Sequence, residues 1–437
     1  MLKKCGIKPL ILTSIAWWLF SAAILTAQQA PVTIDIKTAI ERARAYSPQF
    51  QSASLAVDQA RIDRYLAKSA FYPSAEYHNQ YIYTQGNGAP EGVFIASNAV
   101  HEYVSQGVVH EDIFVPGRLA EYRRSIAGEA VAAARRDVAL RGIVTTVFQN
   151  YYAVVTSQRH AANARQSLDE ARRFVGITEK LESGGEVAHN DVVKAQLTLN
   201  QRERDLQDAQ LSVEKAKVAL AVLIFPDLTT DYTVVDDLGS APALAEFSQI
   251  QASAGETSPD LRAAQATLNQ EQYGVAIARS AYLPSFSVEY LFGIDAPQFA
   301  ARDDEGFRRW GSGAQATLNI PIFNWWVTRS KVKQAELKRQ QAQLDLALTQ
   351  REVNSTLRTS YLEARAAQAQ MDSLKRSLDL ATESLRLTNL RYEAGESTVL
   401  EVVDAQRTLA QARNAYDDGL SRYRIAIATI QTLTGNY

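Results

Sequence analysis

From Asn324 through Ala394 the chain runs for 71 residues without a Gly or a Pro. The stretch is rich in Ala, Leu, Gln, Arg and Glu, all good helix formers. It predicts a single helix of roughly 105 Å at 1.5 Å rise per residue. No ordinary globular core accommodates such a helix, which needs partners lying alongside it as in a coiled coil. Its apolar positions Val332, Leu337, Leu344, Leu348, Val353, Leu357 and Leu362 are separated by steps of 4, 5 and 7, with alanine filling much of the rest. So thin a stripe leaves a lone hairpin short of buried surface. Further helices are therefore expected alongside, from other copies of the chain.

A second helix of this kind is expected from about Arg118 to Glu182, and its existence is explained by a repeat. AKSAFYPS (67–74) returns as ARSAYLPS (278–285), 211 residues later, and SPQFQSASLAVDQA (47–60) faces SPDLRAAQATLNQE (258–271) at the same offset. Farther on, GEVAHNDVVKAQLTL (185–199) faces GESTVLEVVDAQRTL (395–409) at an offset of 210. Each half reads Ser-Pro, helix, Pro-Ser, polar-aromatic segment, Pro, long helix, Gly-Glu, helix. The chain thus reads as an internal duplication, residues 31–240 and 241–437. Gly184, Gly185 and Gly395 are expected to end the long helices as left-handed C-caps, with new helices over about 187–223 and 399–433.

The segments before the long helices alternate. SAEYHNQYIYTQ (74–85) puts Tyr77, Tyr81 and Tyr83 on one face, and a second strand is expected over about 99–109. SFSVEYLFGI (285–294) puts Phe286, Val288, Tyr290 and Phe292 on one side, and SGAQATLNIPIF (312–323) alternates Ala314, Ala316, Leu318 and Ile320. Strands of about 10 residues cross a bilayer when tilted. Periodicity alone favours ordinary soluble hairpins over membrane strands. If these strands do enter lipid, four of them cannot close a barrel, open edges in lipid are forbidden, and several chains must contribute.

Lys3, Lys4 and Lys8 precede an apolar run from Pro9 to Ala27, and small residues follow near Ala27 and Ala30. That is the layout of a secretory signal peptide over residues 1–30; an anchor helix is the competing reading. Cys5, the only cysteine, precedes the run, which argues against a lipid anchor and leaves the mature chain without disulfides or thiolate metal sites. Setting the three lysines aside leaves 43 basic against 48 acidic residues, a balance that does not point to nucleic acid.

Three segments together carry a resemblance to a known family: the leading TIDIKTAIERARAYSPQF, the Pro-Ile-Phe-x-Trp before the second long helix, and YEAGESTVLEVVDAQRTLAQARNAY (392–416). Over about residues 32–435 the chain resembles the TolC-type outer-membrane efflux family. The resemblance implies an α/β membrane protein in which a homotrimer closes a β-barrel from four strands per chain. The barrel joins a long periplasmic α-helical coiled-coil barrel. It implies a passive export duct of the outer membrane, set in outer-membrane lipid and served by an inner-membrane pump and a periplasmic adaptor. It implies neither cofactor nor metal nor catalysis, and the chain carries no HExxH, GxSxG or P-loop. The competing reading is an exported structural or adhesion-like coiled-coil protein without a pore.

In that family the helix-helix turns form the periplasmic entrance. Glu401 and Asp404, three residues apart and so on one helix face, match the family's two acidic entrance residues; in three copies they would form a ring that favours cations. The bland reading is a solvated face, since acids are favourable in the first turns of a helix. The family's closed tip is latched by a Tyr and an Arg near the second turn against a Thr-Asp pair near the first. Here Tyr392 and Asp191 match, whereas Ser397 stands at the arginine position and Asn190 at the threonine position. A Tyr392–Asp191 hydrogen bond is expected without the charge-assisted part of the latch, and hence a tip held less tightly; Arg391 is a candidate substitute.

Trp325 and Trp326 follow Pro321 at a strand-to-helix junction, where they suit either a membrane-interface aromatic belt or simple junction packing. Trp310, Arg308 and Arg309 are expected in a long loop. His78, His101, His110, His160 and His189 show no metal-ligand spacing; His189, beside Asn190 and Asp191, is the one placed to sense pH at the entrance.

Overall fold

The computed structural model describes residues 32–85, 100–228, 230–240 and 242–435. The signal-peptide expectation on residues 1–30 and the loop 86–99 fall outside the described residues. A short strand β1 (Val32–Ile34) and helix α1 (Ile36–Tyr46) lead into α2 (Pro48–Ser69), the strands β2 (Ser74–Tyr83) and β3 (His101–Phe114), and the helices α3 (Arg118–Ser183) and α4 (His189–Ile224). After β4 (Tyr232–Val234) the order continues with α5 (Phe247–Thr257), α6 (Pro259–Ser280), β5 (Ser285–Ala296), β6 (Trp310–Asn319), α7 (Val327–Glu393) and α8 (Val399–Leu433).

The octapeptides end one element and begin the next. α2 and α6 each start with Pro at the first helical position behind a Ser N-cap, and the Ser47 hydroxyl accepts the Phe50 N–H at 3.4 Å. Proline's fixed φ suits that position, where its missing N–H loses no helical bond. At the far end Pro73 and Pro284 cannot continue a helix and push the preceding residue toward extended backbone. The chain therefore leaves each helix directly into a strand.

α7 spans 67 residues, roughly 100 Å. α2, α3, α6 and α7 lie side by side in that order, while α3 pairs with α4 and α7 with α8 as two long hairpins. Of the apolar positions along α7, Val353 and Leu357 are buried, but Leu337, Leu344, Leu348 and Leu362 stay exposed, Leu344 at 71%. That row is a helix face still without its partner.

The four long strands form one antiparallel sheet in the order β2-β3-β5-β6. β3 runs on to Phe114, past the expected end at 109, and Trp310 opens β6 instead of lying in a loop. A separate parallel pair of β1 and β4 ties the start of the chain to the segment after α4. The Tyr151 hydroxyl donates to the Val235 carbonyl at 2.8 Å beside that pair, within a core of Ile34, Tyr152, Val155, Leu220 and Ile224. Beside it Asp237 accepts from Arg424 at 2.6 Å, and the Tyr152 hydroxyl stands between the two. None of the described helices is long and apolar enough to cross a membrane.

Candidate functional site

Cross-strand register sorts the sheet into two unlike faces. Tyr77, Gly107, Phe292 and Ser312 stand in one row across the four strands, Ala75, Val109, Tyr290 and Ala314 in the next, and Asn79, Ser105, Ile294 and Trp310 in a third. This face also carries Tyr81, Tyr83, Tyr103 and Leu318. Some of its polar atoms pair with one another: Ser105 donates to Asn79 at 2.7 Å and pairs with the Tyr77 hydroxyl at 2.7 Å, and Tyr81 meets His101 at 2.7 Å. The opposite face carries Glu76, His78, Gln80, Gln106, His110, Glu289, Gln315 and Thr317. There His110 bridges Glu289 at 2.9 Å and Asp112 at 3.3 Å. One face of the sheet is thus mainly aromatic and the other polar and charged.

The sheet is open. β2 and β6 each keep one unpaired edge, which hydrocarbon does not tolerate.

Below β6 the chain turns through Trp325 and Trp326, both left-handed, with φ of 53° and 66°. For side chains this bulky the left-handed region costs about 1–3 kcal/mol each. The rings are not repaid by burial: Ile322 is 92% exposed, Trp325 83% and Trp326 64%. Phe323 contacts both indoles, and the Arg329 guanidinium lies 5.7 Å from the Trp326 ring.

The far ends of the hairpins share one geometry. In each, the residue after the turn glycine donates back five positions, Glu186 N–H to the Leu181 carbonyl at 2.9 Å and Glu396 N–H to the Arg391 carbonyl at 2.8 Å. This is a Schellman motif, which needs a left-handed residue. Gly185 (φ 78°) and Gly395 (φ 74°) supply it. Gly184 does not: it is right-handed at φ −78° and matches Ala394 in the other turn.

Glu401 and Asp404 are both exposed on one face of α8. Neither is a free carboxylate. Glu401 accepts from the Ser397 hydroxyl at 2.9 Å and the Thr398 hydroxyl at 3.2 Å, while Thr398 accepts the Glu401 N–H. Ser397, then the Thr398 N–H and hydroxyl, and more distantly Arg391, hold the Glu401 carboxyl below its usual range. Asp404 pairs with Arg407 one turn on. Both partners are more than 60% exposed, so the pair is only weakly held.

The expected hydrogen bond between Tyr392 and Asp191 is not made within the protomer. Among the described residues the Tyr392 hydroxyl has no hydrogen-bond partner; the ring is buried against Phe174 at 5.1 Å, and burial raises its pKa. Asp191 lies 3.6 Å from Lys194, Asn190 is exposed, and Ser397 is taken by Glu401. Arg391 donates to its own turn, at the Glu396 carbonyl. What joins the hairpins here is apolar: Phe174, Val175 and Ala195 pack with Leu385, Tyr392, Val399 and Val402. Higher up, Arg413 donates to Glu170 at 2.8 Å, and Asn163 and Arg159 donate to Asp417 at 2.8 and 3.0 Å. His189 lies 2.7 Å from Glu182 across the first turn.

The model of the outer membrane efflux protein family matches residues 39–224 and again 252–436. The chain belongs to this family. Its members are channel proteins of the outer membrane. Outer membrane protein OprJ of Pseudomonas aeruginosa is 26% identical over 71% of this chain and 64% of its own length. The cobalt-zinc-cadmium resistance protein CzcC of Cupriavidus metallidurans is 28% identical over 72% of both. This chain thus spans somewhat less than two thirds of the first relative. Among solved structures, the CmeC outer membrane channel of Campylobacter jejuni superimposes with a TM-score of 0.78 over 92% of this chain and 85% of that one, at 18% identity. The efflux-family fold therefore covers both hairpins and the sheet.

Proposed function

We propose that three copies of this chain close one twelve-stranded barrel in the outer membrane, with β6 of each copy pairing with β2 of the next. The observation that carries the reading is the two-faced, open-edged sheet. The aromatic face meets lipid, the charged face lines water, and each unpaired edge finds its partner in a neighbouring copy. The exposed leucines of α7 are covered by the same closure, and the helices continue the duct through the periplasm. The two halves, residues 31–240 and 241–437, are a duplicated unit that supplies one strand hairpin and one helical hairpin each.

The turns at Gly185 and Gly395 form the periplasmic entrance, where Glu401 and Asp404 of three copies ring the mouth and favour cations. The closed tip rests on the Phe174–Tyr392 cluster, with no arginine latch at Ser397. Cargo and energy come from a periplasmic adaptor and an inner-membrane pump, and the duct itself performs no chemistry on what it passes. Two relatives with unlike names, one for metal resistance and one for the outer membrane alone, fit a duct whose selectivity lies with its pump.

The test is extraction and crosslinking of the full chain expressed in a Gram-negative host. The protein should stay with outer membranes after alkaline wash. Cysteines placed at Gln80 on β2 and Gln315 on β6 should crosslink only between copies, into a trimer. Release by the wash, or a crosslink confined to one chain, would sink the barrel.

A further inference from the structure

Just under the sheet, α3, α6 and α7 enclose a groove of about 550 Å³. Its upper rim is Pro116, two residues beyond the end of β3, and Leu283, two residues before β5. Leu119 and Val275 give it apolar walls, and Arg123, Arg279 and Arg339 reach it from the three helices.

The charges in this groove do not balance. Arg279 donates to Glu336 at 2.8 Å, and Arg279 first, then Lys333 and Arg339, hold the Glu336 carboxyl below its usual range. One carboxylate thus serves three cations on that side. Arg123 has no ion-pair partner among the described residues, and the buried Nε of Arg339 has no hydrogen bond. Arg123 and Arg279 are exposed and Arg339 is half-buried, so the excess positive charge stands at the groove surface, where it attracts an anion.

The groove also has a side. Glu336 lies seven residues from Arg329, so both occupy one face of α7. On that face Arg329 meets the Trp326 ring, beside the exposed Ile322 and Phe323. The cationic groove and the exposed aromatic collar are therefore parts of one surface, the collar above and the guanidiniums below. Apolar and aromatic groups at the hydrocarbon boundary with arginines one step outward match the layers of a phospholipid.

We propose that this groove binds the headgroup of an anionic phospholipid from the inner leaflet. Arg123 and Arg339 hold the phosphate, while Leu119, Leu283 and the collar take the upper acyl chain. The left-handed Trp325 and Trp326 keep their strained geometry because lipid, not protein, packs their rings. The proposal rests on the reading that the sheet spans the membrane.

Its test uses the full chain purified in detergent, with bound lipid read by native mass spectrometry. Phosphatidylglycerol should be retained on the order of tenfold over phosphatidylcholine. Arg123→Gln with Arg339→Gln should abolish that preference. Arg123→Lys with Arg339→Lys should preserve it, as should Arg308→Gln with Arg309→Gln in the loop beyond the strands. Helicity by circular dichroism identifies variants that fold. Equal retention of the two lipids would overturn the proposal, as would a preference that survives in the folded glutamine variant. Displacement of phosphatidylglycerol by millimolar inorganic phosphate would overturn it in favour of a small-anion site. Alkaline extraction of the same preparation from vesicles separates the two readings. Protein that washes out defeats the membrane-spanning sheet and the lipid site together, whereas protein that stays without lipid preference defeats the lipid site alone.

Discussion

Thr398 and Glu401 cap each other at the start of α8: Thr398 Oγ1 accepts the Glu401 N–H at 3.4 Å and lies 3.2 Å from the Glu401 carboxylate. One side chain of the candidate entrance ring thus also fixes the helix that carries it. The two roles separate by substitution. Glu401→Gln keeps a capping side chain and removes the charge, so it should lower cation preference with helix stability nearly unchanged. Glu401→Ala should lower cation preference equally and also loosen the tip by removing half of the reciprocal cap, read as faster amide hydrogen exchange over 395–404. Asp404→Ala should leave exchange over 395–404 unchanged.

The same carboxyl sets the pH dependence. Its folded pKa is depressed, so its capping contribution is fully present above the ordinary carboxylate value of 4.5 and is lost as pH falls through the lower, folded value. Cation preference should therefore persist down to pH 4.5 and fade only below it. Reversal potentials measured across that range check this, and a preference already fading between pH 7 and 5 would contradict it.

The turn glycines are not equivalent. Gly395→Ala forces a side chain into a left-handed position and should destabilise the tip by about 1–2 kcal/mol, seen as faster amide exchange over 385–405. Gly184→Ala sits at φ −78° with its nearest contact at 3.5 Å, and should leave exchange over 175–195 unchanged.

Gly293 decides whether the two strand hairpins join. A Cβ there would collide with the Ser105 carbonyl oxygen and Gln106 Cα, inside the β3–β5 pairing. Gly293→Val should abolish wash-resistant protein in the membrane fraction. Gly311, its cross-strand partner, has nothing within 4 Å of a Cβ inside the protomer, so Gly311→Val should leave the two hairpins joined.

Much of this architecture was legible because the long helices are punctuated. Gly185, Gly395 and the prolines stand where helix formers stop, so α4, α7 and α8 fall within a few residues of their expected bounds. The strands were legible as alternation, but only the register shows that Tyr77, Phe292 and Trp310 share one face. The β1–β4 pair was invisible: three residues per strand, 200 positions apart, leave no period to read. At the tip both the acidic pair and the Thr398-x-x-Glu401 capping signature stand in the sequence. The partner of Tyr392 could not be read, because its contact with Phe174 is apolar and non-local. A resemblance supplies polar latch positions, and it does not reveal that the ring has turned into a hydrophobic cluster.

The central claim is that this sheet and these tips make a pore. Single-channel currents of the full-length protein in a planar bilayer, beside the Glu401→Ala, Asp404→Ala double variant, test it most directly. The predicted result is discrete, cation-preferring steps in the native protein and steps without that preference in the variant. Native protein that resists alkaline wash yet gives no steps at any voltage, or a variant with selectivity unchanged, would contradict it.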